Sequence, residues 1–130
     1  MNIFDFIACD SYVTTNKYLL KALGANAALM LCELASEFKY WLTRGLAQDG
    51  WFYSTVENIE SELGFNDYVQ RATLRALQKR GLLEVRVQGL PPKRYIKLNA
   101  KNIVNLINEE IEKENQKKSE KWHSDQFFKF

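Results

Sequence analysis

The chain has few of the residues that build metal centres, disulfide frameworks or catalytic sites. Its two cysteines, Cys9 and Cys32, stand far apart without a C-x-x-C pair, and His123 is the single histidine. A zinc site is therefore not expected. The sequence also has no Ser-His-Asp set, no paired catalytic carboxylates and no phosphate-binding glycine loop. These absences predict a protein that is not an enzyme and that needs no cofactor.

Long apolar runs are missing as well. The longest apolar block, residues 27–32, is far shorter than the ~20 residues that a membrane-spanning helix needs. The N-terminal stretch MNIFDFIACD carries Asp5 and Asp10 where a secretory signal would carry lysines. We therefore expect no membrane partner, a cytoplasmic location and reduced cysteines.

The positive charge of the chain is concentrated in one segment. The 130 residues are 46% hydrophobic and 26% charged, which is typical of a globular protein, and the net charge is only +2. Residues 67–97, however, hold eight lysines and arginines against two acidic residues, a balance of +6. Such an asymmetry is typical of a surface that binds a polyanion.

Helix signals cover much of the chain before this basic segment. The sequence predicts a short helix over residues 14–22, and then a long core helix that Asn26 caps. After the short β-favouring run WFYST, Thr55 can cap a helix that Gly64 ends, and Asn66 can cap a second helix that Gly81 ends. Two helices joined by a three-residue turn are the sequence form of a helix-turn-helix.

Two alternating runs follow, and a further helix comes after them. Apolar residues alternate with polar ones over LEVRVQ and again over YIKL, as in strands buried on one side. The loop between them, residues 88–93, contains Pro91 and Pro92 and would be the wing of a winged helix. A helix over residues 100–115 comes next, and its row of isoleucines needs a surface on this domain or on a second copy.

The fold predicted from these elements is α+β and mostly helical, a winged helix-turn-helix with extra N-terminal and C-terminal helices. Residues 1–111 form the winged-helix domain in this interpretation. Residues 112–130 form a charged, flexible linker and an aromatic C-terminal tail.

Several stretches also resemble a known family. The segments DGWFYSTVENIESELGF, QRATLRALQKRGLLEV and GLPPKRYIKLN resemble the winged-helix domain of phage and plasmid replication initiators and replisome organisers of Firmicutes. Those proteins are similar to the N-terminal domain of DnaD-type primosomal proteins. NKYLLKALGANAALMLCEL resembles the first helices of the same family, so the likeness covers residues 14 to about 107. The resemblance implies a DNA-binding or replisome-assembly module.

The polar face of the second helix and the wing are the predicted DNA-binding surface. Arg71 and Arg75 lie one turn apart and could pair with guanines, and Gln70 could pair with an adenine. The cations of the predicted wing and its two strands, Arg86, Lys93, Arg94 and Lys97, would contact phosphates or the minor groove. The other interpretation is that these are solvated helix charges, with a weak pair between Asp67 and Arg71. The full predicted set is Asn66, Gln70, Arg71, Arg75, Gln78, Lys79, Arg86, Lys93, Arg94 and Lys97.

Two aromatic groups need a separate interpretation. The sequence favours packing of Trp51, Phe52 and Tyr53 against the core over a base-stacking platform, and leaves Tyr95 open between the two. The aromatics of the C-terminal tail either fold back on the domain or a partner subunit, or recognise another protein, such as a replication protein. That tail group is Trp122, Phe127, Phe128 and Phe130.

The sequence thus predicts a non-enzymatic winged-helix protein that binds double-stranded DNA in phage or plasmid replication initiation. We expect a homodimer, formed through the 100–114 helix or the N-terminal helices. Two alternatives stay open at this point. One is a DnaD-like oligomerisation scaffold with little DNA binding, and the other is a transcriptional repressor of the same fold.

Overall fold

A computed structural model describes the backbone of residues 2–7 and 11–127, and the side chains of this range except Phe6 and residues 122–127. Cys9, Phe128 and Phe130 therefore lie outside the described residues, as do the side chains of Trp122 and Phe127. Within the described part the chain is α+β and mostly helical, as the sequence predicts.

Six helices and three strands make up the described residues. In chain order they are α1 (Ile3–Ile7), α2 (Lys17–Leu23), α3 (Ala25–Thr43), β1 (Trp51–Tyr53), α4 (Val56–Leu63), α5 (Asp67–Lys79), β2 (Leu83–Gln88), β3 (Lys93–Leu98) and α6 (Ala100–Phe127). A short 3-10 turn, Gln48–Gly50, precedes β1.

The predicted boundaries of α4 and α5 are confirmed by their caps. Thr55 Oγ1 accepts a hydrogen bond from the Asn58 amide at 3.0 Å, and Asn66 Oδ1 accepts one from the Val69 amide at 2.9 Å. Gly64 follows α4 with a φ of 75°, a left-handed conformation that glycine adopts without strain. The turn between the two helices is therefore set by local chemistry.

The N-terminal helices begin at different residues from those predicted. Asn16 caps α2 by accepting from the amides of Tyr18 and Leu19, so this helix starts at Lys17 and not at residue 14. Gly24, and not Asn26, precedes α3. Asn26 lies exposed in the first turn of α3, so the preference of asparagine for caps placed this boundary two residues too late.

The three strands form one antiparallel sheet in the order β1-β3-β2. Ile96 of the central strand lies opposite both Phe52 and Val85, and this register sends their side chains to the face that packs on the helices. Side chains alternate along each strand, so the remaining positions share the opposite face. We call this the outer sheet face, and its residues are Trp51, Tyr53, Glu84, Arg86, Gln88, Lys93, Tyr95 and Lys97.

The hydrophobic core lies between the helices and the inner face of the sheet. Its buried members come from α2, α3, α4 and α5, from β1, β2 and β3, and from the turn before β2. They are Leu19, Ala28, Met30, Leu31, Leu34, Phe52, Ile59, Leu74, Leu77, Leu82, Leu83 and Ile96. Val87, predicted to continue the inward row of β2, is 63% exposed because it lies towards the free end of the hairpin.

Helix α6 packs on its own domain. Ile103, Leu106 and Ile107 pack against the core, and Lys17 of α2 lies 4.0 Å from Glu114 of α6. The apolar row that the sequence assigned either to this domain or to a second copy is thus covered, at these positions, within one chain.

The structure also continues α6 through residues 112–121, where the sequence predicts a flexible linker. The chain has no glycine or proline after Pro92, and this stretch is built largely of lysine, glutamate and glutamine, which form helices well. Glu114 lies 3.1 Å from Lys118, and Glu110 lies 3.3 Å from Lys113, so charge pairs one turn apart support the helix.

No helix in the described part of the chain combines the length and the apolar character that crossing a membrane requires.

Candidate nucleic-acid interface

Helix α5 exposes most of the basic side chains predicted for it. Arg71, Arg75, Gln78 and Lys79 are all exposed, and so is Asn66, whose side chain serves as the cap of this helix. Tyr68, which the sequence did not single out, is 79% exposed at the start of the same helix. The outward face of α5 therefore offers cations, hydrogen-bond donors and one aromatic ring.

An ion pair restrains one of these arginines. Arg71 Nη2 lies 3.0 Å from Asp67 Oδ2, one turn back along α5, and both side chains are largely open to solvent. Exposed pairs of this geometry contribute only about 0.3–0.5 kcal/mol, so a phosphate or a base edge could replace the carboxylate at small cost.

A groove separates α5 from the β2–β3 hairpin. It has a volume of about 430 Å³, with apolar walls and charged rims. Its lining residues are Val56, Asp67, Arg71, Leu74, Arg75, Gln78, Val85, Val87, Pro92 and Arg94. Cations of the helix thus lie beside the hairpin in one concave surface.

Gln70 does not belong to this surface, and its predicted contact with a base is wrong. The side chain is 0% exposed, and its Nε2 donates to the carbonyls of Val56 at 2.9 Å and Phe65 at 2.8 Å. Its Oε1 accepts from Arg94 Nη1 at 3.0 Å. Gln70 therefore joins the start of α4, the turn and the hairpin from inside the fold.

The error comes from the rotational setting of α5. The buried positions of the helix are Gln70, Thr73, Leu74 and Leu77, whereas the sequence pattern placed Ala76 inward and Gln70 outward. The predicted and the observed sets of inward-facing positions both recur every three or four residues, so spacing alone does not distinguish them. A buried glutamine is stable when its amide is hydrogen-bonded, and two of its three partners here, Val56 and Arg94, lie 14 and 24 positions away in the sequence.

Arg94 is also a structural residue, in contrast to the phosphate contact predicted for it. It lies on the inner side of β3, half-buried, and its Nη2 is 3.4 Å from Ser54 Oγ in addition to the bond with Gln70. Burial lowers the pKa of the Arg94 guanidinium, and the nearby charge of Glu37 opposes this shift.

Glu37 of α3 completes this internal polar cluster and was not predicted. Its Oε1 accepts from Asn58 Nδ2 at 2.8 Å, and its side chain is buried. Burial raises the pKa of the Glu37 carboxyl, although hydrogen bonds from Ser54 and Asn58 and the charge of Arg94 act in the other direction. In the sequence, Glu37 resembles an ordinary surface residue of an amphipathic helix.

The remaining predicted residues lie on a different surface. Arg86, Lys93 and Lys97 belong to the outer sheet face, on the opposite side of the sheet from α5. Arg86 and Lys93 are exposed and Lys97 is half-buried. The single basic surface expected from the sequence is therefore two surfaces, one on α5 and one on the sheet.

Within the described residues, no group of three or more histidine, cysteine or acidic side chains is placed to hold a metal ion. Cys32 is a free thiol, and its Sγ lies 3.5 Å from Thr15 Oγ1.

The fold has a counterpart among solved protein structures. A solved structure described as "N-Terminal domain of DNA binding protein" superposes on the chain with a TM-score of 0.54, covering 85% of this chain and 92% of that chain, at 14% sequence identity. At this identity the likeness shows a similar fold. No family model and no curated protein matches the sequence.

Proposed function

We propose that the chain is a winged-helix protein that binds double-stranded DNA, with α5 as the recognition helix and the β2–β3 hairpin as the wing. The observation that carries this proposal is the exposure of Arg71, Arg75, Gln78 and Lys79 on one side of α5, beside the groove that the hairpin borders. A helix of this kind fits the major groove, where arginine pairs with guanine. The description of the structural neighbour as part of a DNA-binding protein supports the same reading.

The resemblance to replication initiators favours a role in phage or plasmid DNA replication, in the cytoplasm and without catalysis. A homodimer would place two recognition helices about one turn of DNA apart. Because α6 uses Ile103, Leu106 and Ile107 within its own domain, we favour dimer contacts elsewhere on the chain.

A gel-shift titration on random-sequence duplex DNA tests the proposal. We expect the Arg71→Ala/Arg75→Ala variant to bind at least about tenfold more weakly than the wild type, because on random-sequence DNA each lost arginine removes a phosphate contact and the counterion release that accompanies it. The matched control is Lys117→Ala/Lys121→Ala, which removes the same charge from the exposed, distant part of α6. Equal loss in both variants would indicate a general charge effect, and no loss in either would reject α5 as the contact.

A second function, an oligomerisation scaffold, is favoured by the tip of the hairpin. Leu90 in the turn is 99% exposed and Val87, three residues earlier on β2, is 63% exposed, so the hairpin presents apolar side chains that a partner subunit could cover. Sedimentation velocity on Leu90→Ser distinguishes the two functions. Loss of an oligomer together with unchanged DNA binding would favour the scaffold.

The aromatic tail remains a prediction of protein recognition. Deleting residues 120–130 tests it. Unchanged thermal stability with loss of a bound replication protein supports recognition, whereas a large loss of stability supports packing on the domain.

A further inference from the structure

Three aromatic rings share the outer sheet face with the hairpin cations. Trp51 and Tyr53 are on β1 and Tyr95 is on β3, and all three are half-buried, while Phe52 between the first two is fully buried on the inner side. None of the three belongs to the hydrophobic core or to the residues packed against it. The WFY run is thus divided between the core and a surface.

The rings and the cations are arranged alternately. Tyr53 and Tyr95 lie opposite each other with ring centroids 5.8 Å apart. The Arg86 guanidinium stands 4.4 Å from the centroid of Trp51, and Lys93 Nζ stands 5.6 Å from that of Tyr53. Each of the two outward-facing rings of β1, Trp51 and Tyr53, therefore has a cation within the distance of a cation–π contact.

A wide cleft lies against this face. It has a volume of about 850 Å³ and is bounded by the loop before β1 and by the hairpin tip. Trp51, Arg86, Lys93 and Tyr95 line it, together with one acidic side chain, Asp49. Counting Glu84, which lies opposite Lys97, the surface carries three cations and two acids, so its charge stays positive.

This combination distinguishes single-stranded nucleic acid from other occupants. Flat rings stack with unpaired bases of any sequence, and cations between them neutralise the phosphates that connect those bases. In a duplex the bases stack on one another and offer no face to such rings.

We propose that the outer sheet face binds single-stranded DNA by stacking two or three bases on Trp51, Tyr53 and Tyr95, with Arg86, Lys93 and Lys97 at the phosphates. Sheets with exposed aromatics bind RNA in this way in other proteins. The site lies on the opposite side of the sheet from α5 and stands whether or not α5 binds duplex DNA.

Fluorescence anisotropy with a labelled oligothymidine of about 12 nucleotides, at low salt, tests the proposal. We expect Tyr95→Leu and Trp51→Leu each to weaken binding about tenfold, because each removes a stacking ring while keeping an apolar side chain of β-compatible shape. Tyr95→Phe and Trp51→Phe keep a ring and should retain most of the affinity. Tyr12→Leu removes an exposed aromatic away from the sheet and should change nothing.

A further variant guards against loss of folding. Arg86→Gln changes an exposed side chain, so it should leave the far-UV circular dichroism and the thermal midpoint unchanged while reducing the slope of log K against log salt by about 0.7. Three results of the binding measurements would overturn the proposal. They are no binding by the wild type, equal effects of the Leu and Phe variants, or loss of oligothymidine binding in Arg71→Ala/Arg75→Ala with none in the sheet variants. A change of oligomeric state in Tyr95→Leu without a change in oligothymidine affinity would assign the face to a second copy.

Discussion

At the scale of single residues, the fold depends on a few buried polar side chains. Gln70 donates to two backbone carbonyls and accepts a hydrogen bond from Arg94. Glu37, in the same cluster, accepts a hydrogen bond from Asn58. Gln70 and Arg94 were predicted as DNA contacts because composition and periodicity record polarity without recording partners. Partners that are 14 to 24 positions away in sequence become visible only after the chain has folded.

The role of Gln70 predicts a large difference between two glutamines of one helix. Gln70→Ala leaves buried carbonyls without donors, so we expect it to lower the free energy of unfolding by about 2–3 kcal/mol. Gln78→Ala, at an exposed position of α5, should change it by less than about 0.5 kcal/mol. Urea denaturation measures both. Similar values for the two variants would contradict the buried role of Gln70.

The raised pKa of Glu37 predicts a pH-dependent effect of Glu37→Gln. Burial holds this pKa above its ordinary value, so as the pH falls the folded chain binds the proton at a higher pH than the unfolded chain does. Above the folded-state pKa the carboxyl is ionised, and this ionisation lowers the stability of the folded state. The glutamine amide of the variant does not ionise, so the variant does not lose stability in this way. The difference in the free energy of unfolding, variant minus wild type, should therefore be more positive at about pH 7 than at about pH 4, so the substitution favours the folded state more at the higher pH. Urea denaturation at both pH values checks this, and an equal difference at each would contradict it.

At the scale of elements, the sequence predicted what local chemistry determines. The caps at Thr55 and Asn66, the glycine after α4 and the two strands of the hairpin all follow from neighbouring residues. It predicted less well which side of an element faces inward. Packing between elements decides which side of α5 faces the core. It also decides that Arg94 points inward and that the WFY run is divided between the two faces of the sheet.

Helix α6 offers a test of an element that differs from expectation. A proline inside an exposed helix removes a hydrogen bond and clashes with the preceding turn, at a cost of about 3 kcal/mol. Gln116→Pro should therefore unfold the distal part of α6 and reduce the helical circular dichroism signal. The thermal midpoint of the domain should stay close to that of the wild type, because the α6 residues that pack against the core, Ile103, Leu106 and Ile107, precede this position. Gln116→Ala is the matched control. An unchanged signal in the proline variant would support the flexible linker that the sequence predicts.

At the scale of the whole molecule, the charge asymmetry seen in the sequence has a structural form. The basic segment supplies cations to two surfaces on opposite sides of one sheet, and one of its arginines to the interior. In the two proposals, a duplex binds α5 and an unpaired strand binds the outer sheet face, so each nucleic acid has its own surface.

The salt dependence of duplex binding tests the central proposal most directly. If Arg71, Arg75 and Lys79 each neutralise one phosphate, log K should fall against log salt with a slope of about −2.7, which is a loss of about fortyfold between about 50 and 200 mM salt. For Arg71→Ala/Arg75→Ala we expect a slope of about −0.9. A flat response of the wild type, or the same slope for both proteins, would contradict a duplex contact through α5.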